Sequence, residues 1–99
     1  MDAYIYCADI YCEDCGVDII DECRERGIDD NGDSNTYPQG PYPHGGGEAD
    51  APQHCGSCRV FLENPLTGDG DDYVLSAIAD DPESMTVREW REYYDHLTI

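Results

Sequence analysis

Apolar and polar positions along the chain fall into a few patterned stretches separated by polar, turn-rich sequence. Ala3 to Tyr11 is dense in β-formers (Tyr4, Ile5, Tyr6, Ile10 and Tyr11) and predicts one strand leading into Cys12. Val17 to Arg26 predicts a helix, with Val17, Ile20 and Cys23 on one side, Ile19 flanking them and Gly27 as the stop. The other side carries Asp18, Asp21, Glu22 and Glu25, a continuous acidic stripe. Like charges four residues apart cost about a few tenths of a kcal/mol per pair. Tertiary packing or a metal must therefore hold this helix.

Arg59 to Leu62 predicts a short strand, followed by the turn-rich run Asn64 to Gly70. Two helices close the pattern over 71–97. The first runs from Asp71 to Ala79 and buries Val74 and Ile78, with Tyr73 and Ala77 beside them. The second opens on a capping box, Thr86 and Glu89. It aligns Val87, Trp90, Tyr94 and Leu97 along one side, most simply as core and alternatively as a partner-binding stripe.

Between these halves, 28–53 is a long Gly- and Pro-rich loop, the kind of segment that is usually functional or disordered. Asp29, Asn31 and Asp33 imitate a calcium loop. Ser34 at the sixth position and Gly40 at the twelfth break that pattern. Gly45 to Gly47 has no basic neighbour and no following helix, so it reads as linker and not as a phosphate cradle.

Composition sharpens the picture. The chain has 99 residues, one domain's worth, with 23 Asp plus Glu against 5 Lys plus Arg and a formal net charge of −18. This balance excludes a direct grip on nucleic-acid phosphates and disfavours anionic membranes. Leu, Ile, Val and Phe supply only 16 residues, a disordered chain's composition but for 8 Tyr, one Trp and 6 Cys. No apolar run reaches membrane-span length, and Met1 to Tyr4 shows no secretory n-region, which predicts a cytoplasmic protein.

In a reducing compartment, paired cysteines hold metal more readily than disulfides. Cys12 and Cys15, and Cys55 and Cys58, have knuckle spacing, and two such pairs complete a closed four-thiolate Zn²⁺ site. Gly16 and Gly56 suit the strained backbone of such turns. His54 adjoins Cys55 and is expected to support the ligands without ligating. Cys7, in the first strand, and Cys23, on the helix face, read as small buried hydrophobes, and His44 and His96 read as structural. Six cysteines in an oxidising compartment would instead allow 15 disulfide pairings. A redox dithiol is the third reading, opposed by Glu13 and Asp14 inside the first motif, which would raise a thiol pKa. The expected architecture is α+β: a small zinc-stabilised domain with an N-terminal strand, two Cys-x-x-Cys knuckles joined by a long loop, and about three short helices.

The run Tyr11 to Gly16, with Gly40-Pro41-Tyr42-Pro43, Gly45 to Asp50 and Pro52 to Cys58, resembles a group of small acidic, zinc-ribbon-like bacterial and phage-borne proteins. That group has no assigned activity and contributes no catalytic residue. The resemblance implies that Cys12, Cys15, Cys55 and Cys58 form one site, leaves Cys7 and Cys23 outside it, and points to a mobile genetic element as source. No nucleophile, base and acid stand at persuasive spacing, and a four-thiolate zinc offers no open position, so a non-enzymatic role is expected. The leading reading is an inhibitor presenting a polyanionic, nucleic-acid-like surface to a basic nucleic-acid-binding protein. On a phage-like origin, that target would be a CRISPR complex or a defence nuclease. Asp18, Asp21, Glu22 and Glu25, extended by Asp29, Asp30 and Asp33, would stand in for phosphates. The alternative is a zinc-ribbon-like adaptor anchored by Tyr37 and Tyr42.

Overall fold

A computed structural model describes residues 1–97. Two short strands, β1 (Ala3–Tyr6) and β2 (Asp9–Cys12), form a hairpin that runs straight into helix α1 (Glu13–Glu25). After a long excursion, β3 (Gln39–Tyr42) adds to the other edge of β1, giving an antiparallel sheet of order β2-β1-β3. A 3-10 turn (His44–Gly46), helices α2 (Gly68–Asp80) and α3 (Met85–Tyr93), and a last 3-10 turn (Asp95–Leu97) complete an α+β fold with three helices.

The single strand expected over Ala3 to Tyr11 is interrupted. Cys7 and Ala8 have φ of 50° and 61°, the left-handed pair that a two-residue hairpin turn requires. Ala3 pairs with Cys12 and Tyr6 with Asp9. No Asn-Gly or Asp-Gly marks this turn, so the run of β-formers conceals it. Cys7 is consequently exposed at the tip and not buried in a strand. Its backbone N–H donates to the Ser34 carbonyl at 2.9 Å, which ties the tip to the following excursion.

Helix α1 starts four residues earlier than the apolar pattern predicts. Cys12 is its N-cap, and Glu13 and Asp14 occupy the first turn, where the helix dipole favours carboxylates. Gly27, at φ 73°, ends it as expected, with the Ile28 N–H reaching the Cys23 carbonyl at 2.9 Å. Cys23 is buried, whereas Val17 is exposed. The segment 28–53 is not a bare loop, because β3 and the 3-10 turn lie within it. Arg59 to Leu62 forms no strand. It curls back, pairing with the preceding segment through a single bridge between His54 and Phe61.

Helix α2 begins at Gly68, three residues before the expected start, because the Thr67 hydroxyl accepts from the Gly70 N–H at 3.1 Å. Ser84 caps α3 through the Val87 N–H, so the expected cap Thr86 lies two residues inside the helix. Val87, Trp90, Tyr94 and Leu97 are all buried, packing with Phe61 and Val74 in one core cluster. A second cluster gathers Ala3, Cys12, Cys55 and Leu62. The two cores lie in a body of 51 × 23 × 18 Å with a radius of gyration of 15.2 Å. A compact domain of this length would have a radius of about 13 Å. The apolar interior is thus thin and divided.

Candidate metal centre

The sulfur atoms of Cys12, Cys15, Cys55 and Cys58 all lie within 4.8 Å of one another. Each pair arrives on a different local structure. Cys12 ends β2 and caps α1, so Cys15 stands one turn further along the same helix face, with its N–H 3.5 Å from the Cys12 sulfur. Cys55 opens a tight turn in which the Arg59 N–H donates to the Cys55 carbonyl at 3.0 Å and the Cys55 N–H to the Val60 carbonyl at 2.9 Å. Only the second pair is a knuckle; the first is a helix N-terminus. The Gly56 N–H donates to the Ile10 carbonyl at 2.8 Å, docking the knuckle on the free edge of β2 and aligning the two pairs.

Neither Gly16 nor Gly56 has the left-handed backbone expected of strained turns. Each is required by close approach. A Cβ at Gly16 would stand 2.2 Å from the Tyr4 ring, and one at Gly56 would stand 2.3 Å from the Asp9 carboxylate.

The sulfur of Cys12 is 3.7 Å from that of Cys58. A disulfide needs about 2.0 Å, and all six cysteines are free thiols. A tetrahedral ion with metal–sulfur bonds of about 2.3 Å has sulfur–sulfur edges of about 3.8 Å. The Cys12–Cys58 edge already has that length, the remaining sulfurs lie within 4.8 Å, and the cluster could hold a metal ion. Cys55 is fully buried, Cys12 is buried and Cys15 half-buried, while Cys58 is exposed. An open cleft of about 430 Å³, lined by Met1, Glu13, Asp14 and Val60 together with three of the cysteines, faces the cluster.

Three of the thiols divide sharply. Burial, outweighing the Cys15 N–H, holds the Cys12 thiol above its ordinary value. Hydrogen bonding to Cys12, with burial, pushes Cys15 up to about 12. Burial also opposes charge on Cys55, but backbone N–H groups of Cys12, Cys58 and Ser57 converge there and bring it down to about 6. The Cys12 and Cys15 motif therefore has the helix N-terminus that redox dithiols exploit, yet its thiols are shifted away from the reactive thiolate form.

His54 stands outside the sulfur cluster. Its Nδ1 is 2.9 Å from the Arg59 carbonyl, and its Nε2 is 2.9 Å from the Trp90 indole N–H. An indole nitrogen can only donate, so Nε2 accepts and Nδ1 carries the proton. Its part is to close the knuckle and tie it to α3, and no sequence signal pairs it with Trp90. Sequence reasoning also missed the buried Asn64, whose Oδ1 accepts from the Gln53 N–H at 2.7 Å and whose amide donates to the Ala51 and Pro65 carbonyls. Its own carbonyl accepts from the Tyr94 hydroxyl.

Asp18, Asp21, Glu22 and Glu25 are all exposed on α1, and no ion pair involves them among the described residues. Asp29 is exposed in the excursion. Asp30 and Asp33 are exposed too, and they also accept within their own loop, from the Gly32 and Asn35 N–H groups respectively, while Gln39 donates to Asp30 as well. The Gln39 and Gly32 hydrogen bonds hold the Asp30 carboxyl below its ordinary value. Their first task is to shape the loop. Tyr37 is buried and cannot anchor a partner as expected, whereas Tyr42 is 43% exposed.

No protein-family model, curated protein or solved structure matches the chain. No helix among the described residues is long and apolar enough to cross a membrane.

Proposed function

We propose that the chain is a non-enzymatic, Zn²⁺-stabilised acidic binding protein. On this reading α1 presents a polyanionic face to a basic nucleic-acid-binding protein, of which a defence nuclease or CRISPR complex is an example. The exposed, unpaired carboxylate row of α1, rooted at its N-cap in the cysteine cluster, carries this reading. Zinc is supported by four sulfur donors within 4.8 Å of one another, one edge at the tetrahedral length, the donor set of closed structural sites. Such a set has no open position for substrate, which favours binding over catalysis. Four carboxylates on one helix face repel each other without compensation, and that arrangement is useful where a cationic surface approaches. The adaptor reading keeps Tyr42 alone of its two aromatic anchors.

The test is capture of proteins from a native host lysate by the wild type and by the quadruple variant Asp18→Asn, Asp21→Asn, Glu22→Gln, Glu25→Gln, at low and high salt. Retention of basic nucleic-acid-binding proteins at low salt, released by salt and lost in the variant, is expected. Identical retention by both proteins at both salt levels would replace this reading with the adaptor.

A further inference from the structure

We propose that a groove running from the cysteine cluster to α3 is a docking site for a cationic polypeptide segment that alternates basic and apolar side chains. Three open clefts of about 430, 380 and 430 Å³ follow one another along this face. The first and second share Met1 and Val60, and the second and third share Glu89 and Glu92. They are therefore consecutive parts of one surface.

Its floor is apolar at the cluster end, where Met1 is 49% exposed and Val60 39%. Phe61 lines the second cleft with Tyr93 edge-on to its ring, and Met85, 85% exposed, is the apolar side chain lining the third. Its rim is acidic: Glu13 and Asp14 stand at the cluster end, and Glu63, Glu89 and Glu92 stand along the α3 end. None of these five forms an ion pair among the described residues. Arg88, the basic residue in the third cleft, is held by Glu83 at 2.7 Å.

The two features select one kind of occupant. Unpaired carboxylates repel phosphates and attract Lys or Arg. The exposed methionines and valine gain only from apolar side chains, and methionine adapts its shape to them. A bare polycation would leave the floor wet, and an apolar segment would leave the rim without counter-charge. A segment carrying both satisfies floor and rim together. The inference rests on the proposed function only for the sign of the partner's charge, because the groove is a different surface from the α1 stripe.

The experiment uses the metal-loaded chain and two fluorescent synthetic peptides of equal charge, one alternating lysine with leucine and one alternating lysine with serine. Affinities are measured by anisotropy at about 50 mM and about 300 mM salt, where screening lengths differ more than twofold. The leucine peptide should bind at least about tenfold more tightly and keep that margin at the higher salt. The variant Val60→Ser, Glu89→Gln, Glu92→Gln, whose three sites are exposed and outside both cores, should erase the margin with circular dichroism and metal content unchanged. The α1 quadruple variant should lower both peptides alike. Equal binding of the two peptides, or a groove variant with the margin intact, overturns the docking site. If the α1 variant alone is without effect, the proposed function falls and the groove stands. If neither peptide binds, both fall.

Discussion

In the proposed Zn²⁺ site, metal and protons compete for the same four sulfurs, and the divided thiol ionisation fixes how steeply. Each thiol that is protonated in the metal-free protein releases one proton when it ligates. Near pH 7.5, Cys12 lies above its ordinary value of 9.0 and Cys15 lies at about 12, so both release a proton, whereas Cys55, at about 6, is already ionised. At least two protons therefore leave per ion bound. Raising the pH removes the competitor, so affinity rises with pH, by at least about two logarithmic units per pH unit between pH 7 and 8. That slope is worth about 2.7 kcal/mol per pH unit at about 1.36 kcal/mol per proton. Below pH 6, Cys55 is protonated as well and the slope steepens by about one further unit. Competition against a chelator of known proton linkage, at half-unit pH steps, measures the slope, and proton release into weak buffer measures the stoichiometry. A slope of one or less between pH 7 and 8 would refute the assignment of Cys12 and Cys15 as ligands that are protonated before binding.

Cys55→Ser should lose stoichiometric metal and unfold the half built on β2 and the knuckle, while Cys7→Ser, at the exposed hairpin tip, should keep full metal content by elemental analysis. Trp90→Phe keeps the core ring but removes the donor to His54 Nε2. It should cost about 1 kcal/mol and lower the Tm of the metal-loaded protein by about 4–8 °C. Gly16→Ala favours the helix by about 1 kcal/mol in isolation, yet the Tyr4 ring root lies within 2.9 Å of the new methyl. A net loss of stability is expected, since overpacking costs about 1–3 kcal/mol, and denaturant titration reads its sign.

Much of the α-helical half was legible because periodicity there reports burial directly. Val87, Trp90, Tyr94 and Leu97 follow one helical side into the core, with no competing polar demand. Cysteine spacing likewise singled out the four sulfurs. The first pair's local structure was hidden because Gly16 reads as a turn residue, and only tertiary contact with Tyr4 shows it to be a packing gap inside a helix. The hairpin was hidden for the opposite reason: Cys7 and Ala8 lack the turn residues that left-handed conformations favour. β3 could not be read from Gln39-Gly40-Pro41-Tyr42, since its pairing is decided by the β1 edge it meets. Tyr37 illustrates the remaining limit. A tyrosine in a polar segment looks like an exposed anchor, and its burial follows from the Asp33 turn, whose carbonyl accepts from the Tyr37 N–H at 3.0 Å.

Function can also be argued from what the acidic surface costs the fold. The chain divides a thin apolar interior between two clusters, and at least two like-charge pairs four residues apart stand unrelieved on α1. At low ionic strength the screening length approaches 30 Å, more than half the 51 Å long axis, so carboxylates across much of the body repel one another. Binding of a divalent cation in the cysteine cluster is favoured by the same negative potential, with Glu13 and Asp14 lining its cleft. A metal held there would join β2, α1 and the knuckle, whose shared core cluster is small. Neutral residues at Asp18, Asp21, Glu22 and Glu25 would remove the α1 repulsion without disturbing a single described ion pair. On the proposed reading, the α1 surface that weakens its own fold recovers that cost when a cationic partner meets its carboxylates.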